Sequence, residues 1–244
     1  SMSRRIMGDQ ERITEEKDRA ELYVDIMGHD INNLNQVALA NLELIADDPG
    51  LTEDERASVR GALAAIQGSA GIIDNVRKIQ RINEEKLDVV PEDLNDLILE
   101  SVRDTPRPPE KKVVINYAPR PGLMIRGNPL LKEAFSNVIG NAIKYSGDEV
   151  TVDVTVDMVG RAGGQYYDVS IADNGEGITD EMKPRLFRRF QRGTTKAHGK
   201  GLGLYITRSL VEKLGGSVGL EDRVPGDYRK GARFIVSLPA LGEG

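Results

Sequence analysis

With 33 basic against 39 acidic side chains in 244 residues, a net charge of −6 and a pI near 5.2, the chain is a poor fit for nucleic acid or an acidic membrane surface. Its 39% hydrophobic and 30% charged residues suit one large globular domain or two ordinary ones, and no apolar run approaches the roughly 18 residues of a membrane span. The absence of cysteine excludes disulfides and thiolate metal sites; with no secretory leader in view, a cytoplasmic location without membrane contact by this segment is expected.

Residues 4 to 20 are heavily charged, with apolar side chains only at Ile6, Met7, Ile13 and Ala20, and read as a solvated helical lead-in. A long helix follows from about Glu21 to Ala46. Val24, Met27, Ile31, Leu34, Ala38, Asn41 and Ile45 recur on it at spacings of three and four, predicting one seam between packed helices. Counted from Val24 as a, His29 falls at f, furthest from that seam. Asp30 sits beside it and Asn33 lies one turn further on the same outer face. The chain has only two histidines, and one is displayed outward from a rigid helix.

Asp47-Asp48-Pro49-Gly50 ends this helix, and Thr52 with Glu55 forms a capping box for a second one reaching about Glu84. Two long helices and a short loop make an antiparallel hairpin. Such a hairpin has too little core to stand alone, so a four-helix bundle formed as a homodimer is the expected remedy, although the hairpin by itself could equally be a passive coiled-coil spacer.

The pattern changes at Leu87. Leu87 to Val90 reads as a short strand, and Pro91 as the first residue of a helix with Leu94, Leu97, Ile98 and Val102 inward. Val113 to Tyr117 and Leu123 to Ile125 read as strands. Asn128-Pro129 opens a helix through Tyr145. Strands follow at Val150–Val159 and Tyr166–Ala172, then a short helix near Glu181–Phe190, a polar segment from Gln191 to Lys200, and a helix from Gly201 to Leu214. Strands at Ser217–Leu220 and Ala232–Leu238 close an α+β sandwich, with helices over one face of a mixed or antiparallel sheet.

Three stretches carry chemistry. Asp173-Asn174-Gly175-Glu176-Gly177 places a carboxylate at a strand end, before glycines that let backbone approach a ligand. A carboxylate there can accept from an exocyclic amine; alone, the stretch is equally an ordinary turn. Gly199-Lys200-Gly201-Leu202-Gly203 at a helix start offers free N–H groups and a positive dipole end to an anion. Glu133, Asn137, Asn141 and Lys144 share one helix face. Their amides and ammonium suit phosphate oxygens and a hydrated Mg²⁺, although a solvated face would look similar.

In order and spacing these stretches resemble the sensor histidine kinases of two-component signalling. Asn137-Val138-Ile139-Gly140-Asn141-Ala142-Ile143-Lys144-Tyr145-Ser146 is similar to the N box and Asp173 to Ile178 to the first glycine box. Leu186 to Gly193 resembles the F box, Gly199 to Leu204 the second glycine box, and Gly231-Ala232-Arg233-Phe234 through Leu238-Pro239 the closing strand. The resemblance implies a lead-in from an upstream sensor region over 1–20, a dimerisation and phosphotransfer domain over 21–85, and a catalytic ATP-binding domain of the GHKL (Bergerat) fold over 86–244. It implies ATP and Mg²⁺ as cofactors. Asn137 would hold the metal, Asn141 and Lys144 the phosphates, and Tyr145 would lie beside the nucleoside. Asp173 would read the adenine amine in a pocket shaped by Gly175 and Gly177. Gly199, Gly201, Leu202 and Gly203 would line the phosphates, and Arg192 would meet the γ-phosphate. His29 would be the phosphoacceptor, assisted by Asp30. Asn33 would orient a hydrolytic water on the partner, the receiver domain of a response regulator.

The family commonly has proline where Leu34 stands, five residues past the histidine; Lys200 and Arg233 also depart from its pattern. Two rival readings are a catalytically weak pseudokinase serving as a dimeric scaffold, and an ATPase or serine kinase on the same nucleotide fold. The helix carrying His29-Asp30 disfavours the second.

Overall fold

A computed structural model describes residues 28–83, 87–188 and 201–242. The chain divides into two compact units, Ser1–Asn83 and Glu84–Gly244.

In the first unit, α1 spans 28–46 and α2 spans Glu53–Asn83. The connecting turn is held by Asp48, whose Oδ1 accepts from the Gly50 N–H at 2.8 Å. The capping box forms as expected: Glu55 Oε2 accepts from the Thr52 N–H at 2.8 Å, and Thr52 Oγ1 from the Glu55 N–H at 3.4 Å. The Thr52 hydroxyl and N–H hold the Glu55 carboxyl below its ordinary pKa.

The single heptad seam is not what forms. Ile31, Ala38, Leu39 and Leu42 are half-buried, and Asn35 Nδ2 donates to Ser69 Oγ of α2 at 3.4 Å. Leu34 and Ile45 instead belong to a second stripe with Val37 and Leu44, and Asn41 is also exposed; Leu34 is 70% and Leu44 74% exposed. One helix carries two apolar faces, and α2 covers only one of them. The region from Val24 to Met27 lies outside the described residues.

In the second unit, β1 (Val90–Asp93) pairs antiparallel with β3 (Met124–Gly127) as a two-stranded ribbon. Pro91 therefore lies inside a strand and does not open a helix. Asp93 is the cap instead, its Oδ1 accepting from the Asn95 N–H at 2.9 Å as α3 (Leu94–Asp104) begins. A carboxylate is a strong N-cap, and a short ribbon tolerates the missing proline donor.

The main sheet contains β2 (Lys112–Tyr117), β4 (Glu149–Arg161), β5 (Gly164–Asp173), β6 (Ser217–Val224) and β7 (Asp227–Pro239), in the order β2-β4-β5-β7-β6. Only β2 and β4 run parallel. Val152, Val169, Ile171 and Val236 point to the buried face, where α4 (Leu131–Tyr145) and α5 (Gly203–Lys213) bring Phe135, Ile139 and Leu210. Along β4 and β5 the intervening positions are half-buried or exposed, so these strands are covered on one face, as alternation predicts; on β7 the intervening Ser237 is buried as well. Strands β6 and β7 run further than their apolar cores suggest because polar cross-strand pairs such as Glu221 with Arg233 extend the ladder.

The predicted helix at Glu181–Phe190 is a series of hydrogen-bonded turns over its described part, with Lys183 N–H bonding Thr179 O and Leu186 N–H bonding Met182 O, both at 3.2 Å. Pro184 removes a donor inside it, and Lys183 is drawn to Asp222 of β6 at 2.6 Å.

Candidate functional site

On α1, His29 is 71% exposed, on the outer face that the sequence predicts. Its Nδ1 lies 3.3 Å from Asp30 Oδ1 and 3.3 Å from Asn33 Nδ2. One nitrogen thus faces an acceptor and a donor, and its tautomer decides which it engages. A protonated Nδ1 donates to Asp30 and leaves the lone pair on Nε2; an unprotonated Nδ1 accepts from Asn33.

Asp173 ends β5 and is 6% exposed. Its Oδ1 accepts from the N–H groups of Gly175 at 2.9 Å and Ala232 at 3.2 Å. Both bonds fall on Oδ1, so among the described residues Oδ2 receives none. Burial pushes this carboxyl above its ordinary pKa, opposed by those two backbone donors and then by Arg223. The folded chain therefore binds this proton more tightly than the unfolded one. The group's contribution to stability is most favourable below the ordinary carboxylate value and falls as the pH rises through the raised one. Nucleotide-free Asp173→Asn protein is accordingly expected to melt higher than wild type at pH 7 and to lose that advantage below about pH 4. Tyrosine fluorescence reads this, because every tyrosine except Tyr23 belongs to the second unit; a pH-independent difference would refute it.

The glycines beside Asp173 are sterically required. Gly177 has φ of +70° and a Cβ there would lie 1.6 Å from Tyr228 O; Gly231 has φ of +110° and its Cβ would lie 1.9 Å from Asp173 O. Gly231→Ala is expected to cost about 2–4 kcal/mol, combining left-handed strain with displaced backbone, and an unchanged tyrosine melt would contradict this.

Asn137, Asn141 and Lys144 lie half-buried on α4, with Tyr145 exposed at its end. Burial lowers the Lys144 pKa, and its Nζ stands 5.2 Å from the Tyr145 ring centroid. The N-terminus of α5 meets this helix directly: a Cβ at Gly203 would come within 3.1 Å of Asn137 Oδ1. The structure thus brings Asn137 against Gly203, with Leu202 buried and Gly201 half-buried just before it. Arg192, Gly199 and the second histidine, His198, lie outside the described residues.

The donor set fits an adenine nucleotide with Mg²⁺. Oδ2 of Asp173 is an unengaged acceptor on a largely buried side chain, a helix N-terminus adjoins an amide oxygen, and a cation lies on the same helix face as that amide. Sequence reasoning did not assign site roles to Ser146, Gly231 or Ala232. The Ala232 N–H reaches Asp173 from β7, across 59 residues, and only the sheet register creates that contact.

Residues 127–242 match the family of histidine kinase-, DNA gyrase B- and HSP90-like ATPases. Sensor histidine kinase AruS of Pseudomonas aeruginosa is 32% identical over 222 residues, covering 86% of this chain and 22% of the relative. Sensor-type histidine kinase PrrB of Mycobacterium tuberculosis is 30% identical over 244 residues, covering 98% of this chain and 52% of the relative. The histidine-protein kinase/phosphatase MprB of Mycolicibacterium paratuberculosis is 27% identical, covering 93% of this chain and 44% of the relative. The chain thus spans about half the length of PrrB and less of the other two. Among solved structures, a mycobacterial sensor histidine kinase MprB is 25% identical with a TM-score of 0.55, covering 63% of this chain and 100% of that one. Full-length ShkA in complex with AMPPNP, 24% identical over 91% of this chain and 46% of that one, shares the fold at a TM-score of 0.66. Residues 127–242 therefore belong to the histidine kinase-, DNA gyrase B- and HSP90-like ATPases, and along most of its length the chain is similar to sensor histidine kinases.

Proposed function

We propose that this chain transfers the γ-phosphoryl group of ATP to His29 and then to an aspartate on the receiver domain of a response regulator. The observation that carries this reading is the Nδ1 contact with Asp30 on an exposed helix face. With Nδ1–H donating to Asp30, the Nε2 lone pair attacks the γ-phosphorus and the bond to the ADP oxygen breaks. ADP leaves with that electron pair, and the Asp30 carboxylate stabilises the charge developing on the ring. Asp173 would accept the adenine amine through Oδ2, while Lys144 and the amide of Asn141 would hold phosphate oxygens. Asn137 Oδ1 is the kind of oxygen ligand Mg²⁺ takes, and the ion, when bound, neutralises phosphate charge. Arg192 is proposed to meet the γ-phosphate, with Gly199 to Gly203 lining the phosphate side. Incubation with γ-labelled ATP and Mg²⁺ should yield acid-labile, base-stable label on the protein; label of the opposite stability, or none, would overturn the reading. Nothing in the site favours a scaffold without turnover.

The outward stripe of Leu34, Val37, Leu44 and Ile45 is proposed to pair with a second copy as a four-helix bundle. This reading places the segment in the cytoplasm, where ATP and receiver domains are found.

The kinase/phosphatase naming of MprB supports a reverse activity, and we assign it to Asn33. When Nδ1 donates to Asp30, the Asn33 amide cannot donate to the same nitrogen and is available to align a water. An amide is a poor base, so its contribution is orientation. Asn33→Ala is expected to retain autophosphorylation while slowing dephosphorylation of the cognate regulator about ten- to a hundredfold. Equal regulator-phosphate half-lives with wild-type and variant kinase, in ADP and Mg²⁺, would remove Asn33 from that role.

A further inference from the structure

Lys111 stands just before β2, outside every stretch that resembles the family's boxes, yet its ammonium ends inside the candidate nucleotide site's framework. Nζ donates to the carbonyls of Ile143 at 2.8 Å, Lys144 at 3.2 Å and Ser146 at 2.7 Å. The first two belong to the last turn of α4, where carbonyls have no intrahelical partner. No glycine closes this helix: Ser146 is the C-cap in extended conformation, and its hydroxyl is spent on Ala142 O at 2.7 Å. The C-terminus of α4 is therefore closed by a cation 32 or more residues earlier in the chain, matching its three donors to three carbonyls and its charge to the negative helix end. The backbone anchors the lysine, with Lys111 N–H bonding Pro108 O at 3.0 Å and Lys112 N–H bonding Asp148 O at 2.8 Å.

That helix end meets the turn after Asp173. A Cβ at Gly175 would lie 2.9 Å from Ser146 Oγ and 3.1 Å from Tyr145 O, so a small shift of the last turn moves directly into this turn. Gly175 in turn donates to Asp173 Oδ1. We propose that Lys111 is a positioning residue for the nucleotide site. It fixes the last turn of α4, and with it the placement of Lys144, Tyr145 and the Gly175–Asp173 bond. The inference rests on the nucleotide reading given above.

The test uses the full chain with a nonhydrolysable ATP analogue and Mg²⁺ by calorimetry, and autophosphorylation kinetics in ATP. Lys111→Met is expected to bind the analogue about tenfold more weakly, the upper range for losing a cation at a helix end. KM for ATP should rise with little change in kcat, and amide exchange at 145–148 and 174–176 should speed up while α3 stays as in wild type. Lys111→Arg, which keeps charge and N–H donors, should recover most of the affinity. Affinity in Lys111→Met within about twofold of wild type overturns the proposal, as does a loss that Lys111→Arg does not relieve. If Lys111→Met loses its folded tyrosine signal, Lys111→Gln is judged by the same criterion. Wild-type protein that fails to bind the analogue overturns the nucleotide reading and this proposal together, a result distinct from equal binding by both proteins.

Discussion

His29→Ala is expected to abolish phosphate incorporation from γ-labelled ATP while leaving affinity for a nonhydrolysable analogue within about threefold of wild type. The two effects separate because His29 belongs to the first compact unit and Asp173, Asn137 and Lys144 to the second. The imidazole is the only described side chain on the exposed face of α1 whose neutral form is a good nucleophile near neutral pH. Alanine is a strong helix former, so α1 should persist and a helical circular dichroism signal equal to wild type is part of the expectation. His29→Gln, closer in size and polarity, should be equally inactive. His198→Ala serves as the counterpart: activity surviving there and vanishing in His29→Ala identifies the acceptor. Acid-labile phosphate on His29→Ala protein would end the assignment.

Asp173→Asn is expected to weaken binding of the same analogue by about 2–4 kcal/mol, or about 30- to 1,000-fold. The N–H groups of Gly175 and Ala232 both point at Oδ1, so an asparagine must turn its oxygen toward them. Its NH₂ then occupies the place of Oδ2 and confronts the adenine amine, donor against donor. Truncation to alanine merely removes the acceptor and should cost less, about 1–3 kcal/mol. The ordering of the two variants is the sharper measurement, because a general disturbance of the pocket would make alanine the worse of the two. The asparagine variant should also be the more stable protein at pH 7, since it no longer buries a carboxylate. Tighter folding together with weaker nucleotide binding is the signature of a charge kept for function.

Local chemistry was legible wherever neighbours in sequence are neighbours in space. The Thr52–Glu55 capping box, the outward display of His29 with Asp30 and Asn33, and the shared face of Asn137, Asn141 and Lys144 all follow from helical spacing. The alternating strands around Val152 and Val169 and the cover on one sheet face follow from the period of two. Where competing local signals met, the sequence misled. Pro91 looks like a helix start, but Asp93 is the better cap. Glu181–Phe190 looks helical, but Pro184 interrupts its donors and Lys183 is pulled toward Asp222.

A spacing of three and four fixes which residues share a helix face, but it does not say which partner covers that face. So Ile31 and Leu34, consecutive members of one heptad, end on different faces of α1. The chemical identity of the site, a carboxylate before glycines and amides on one helix, is set by the chain alone. Its electrostatics are not. The Ala232 N–H on Asp173, the Gly203 backbone against Asn137 and the Lys111 ammonium under α4 each join residues more than thirty positions apart. Such contacts depend on sheet register and on where helices end, and only the tertiary structure decides them because no local periodicity encodes the approach of distant backbone.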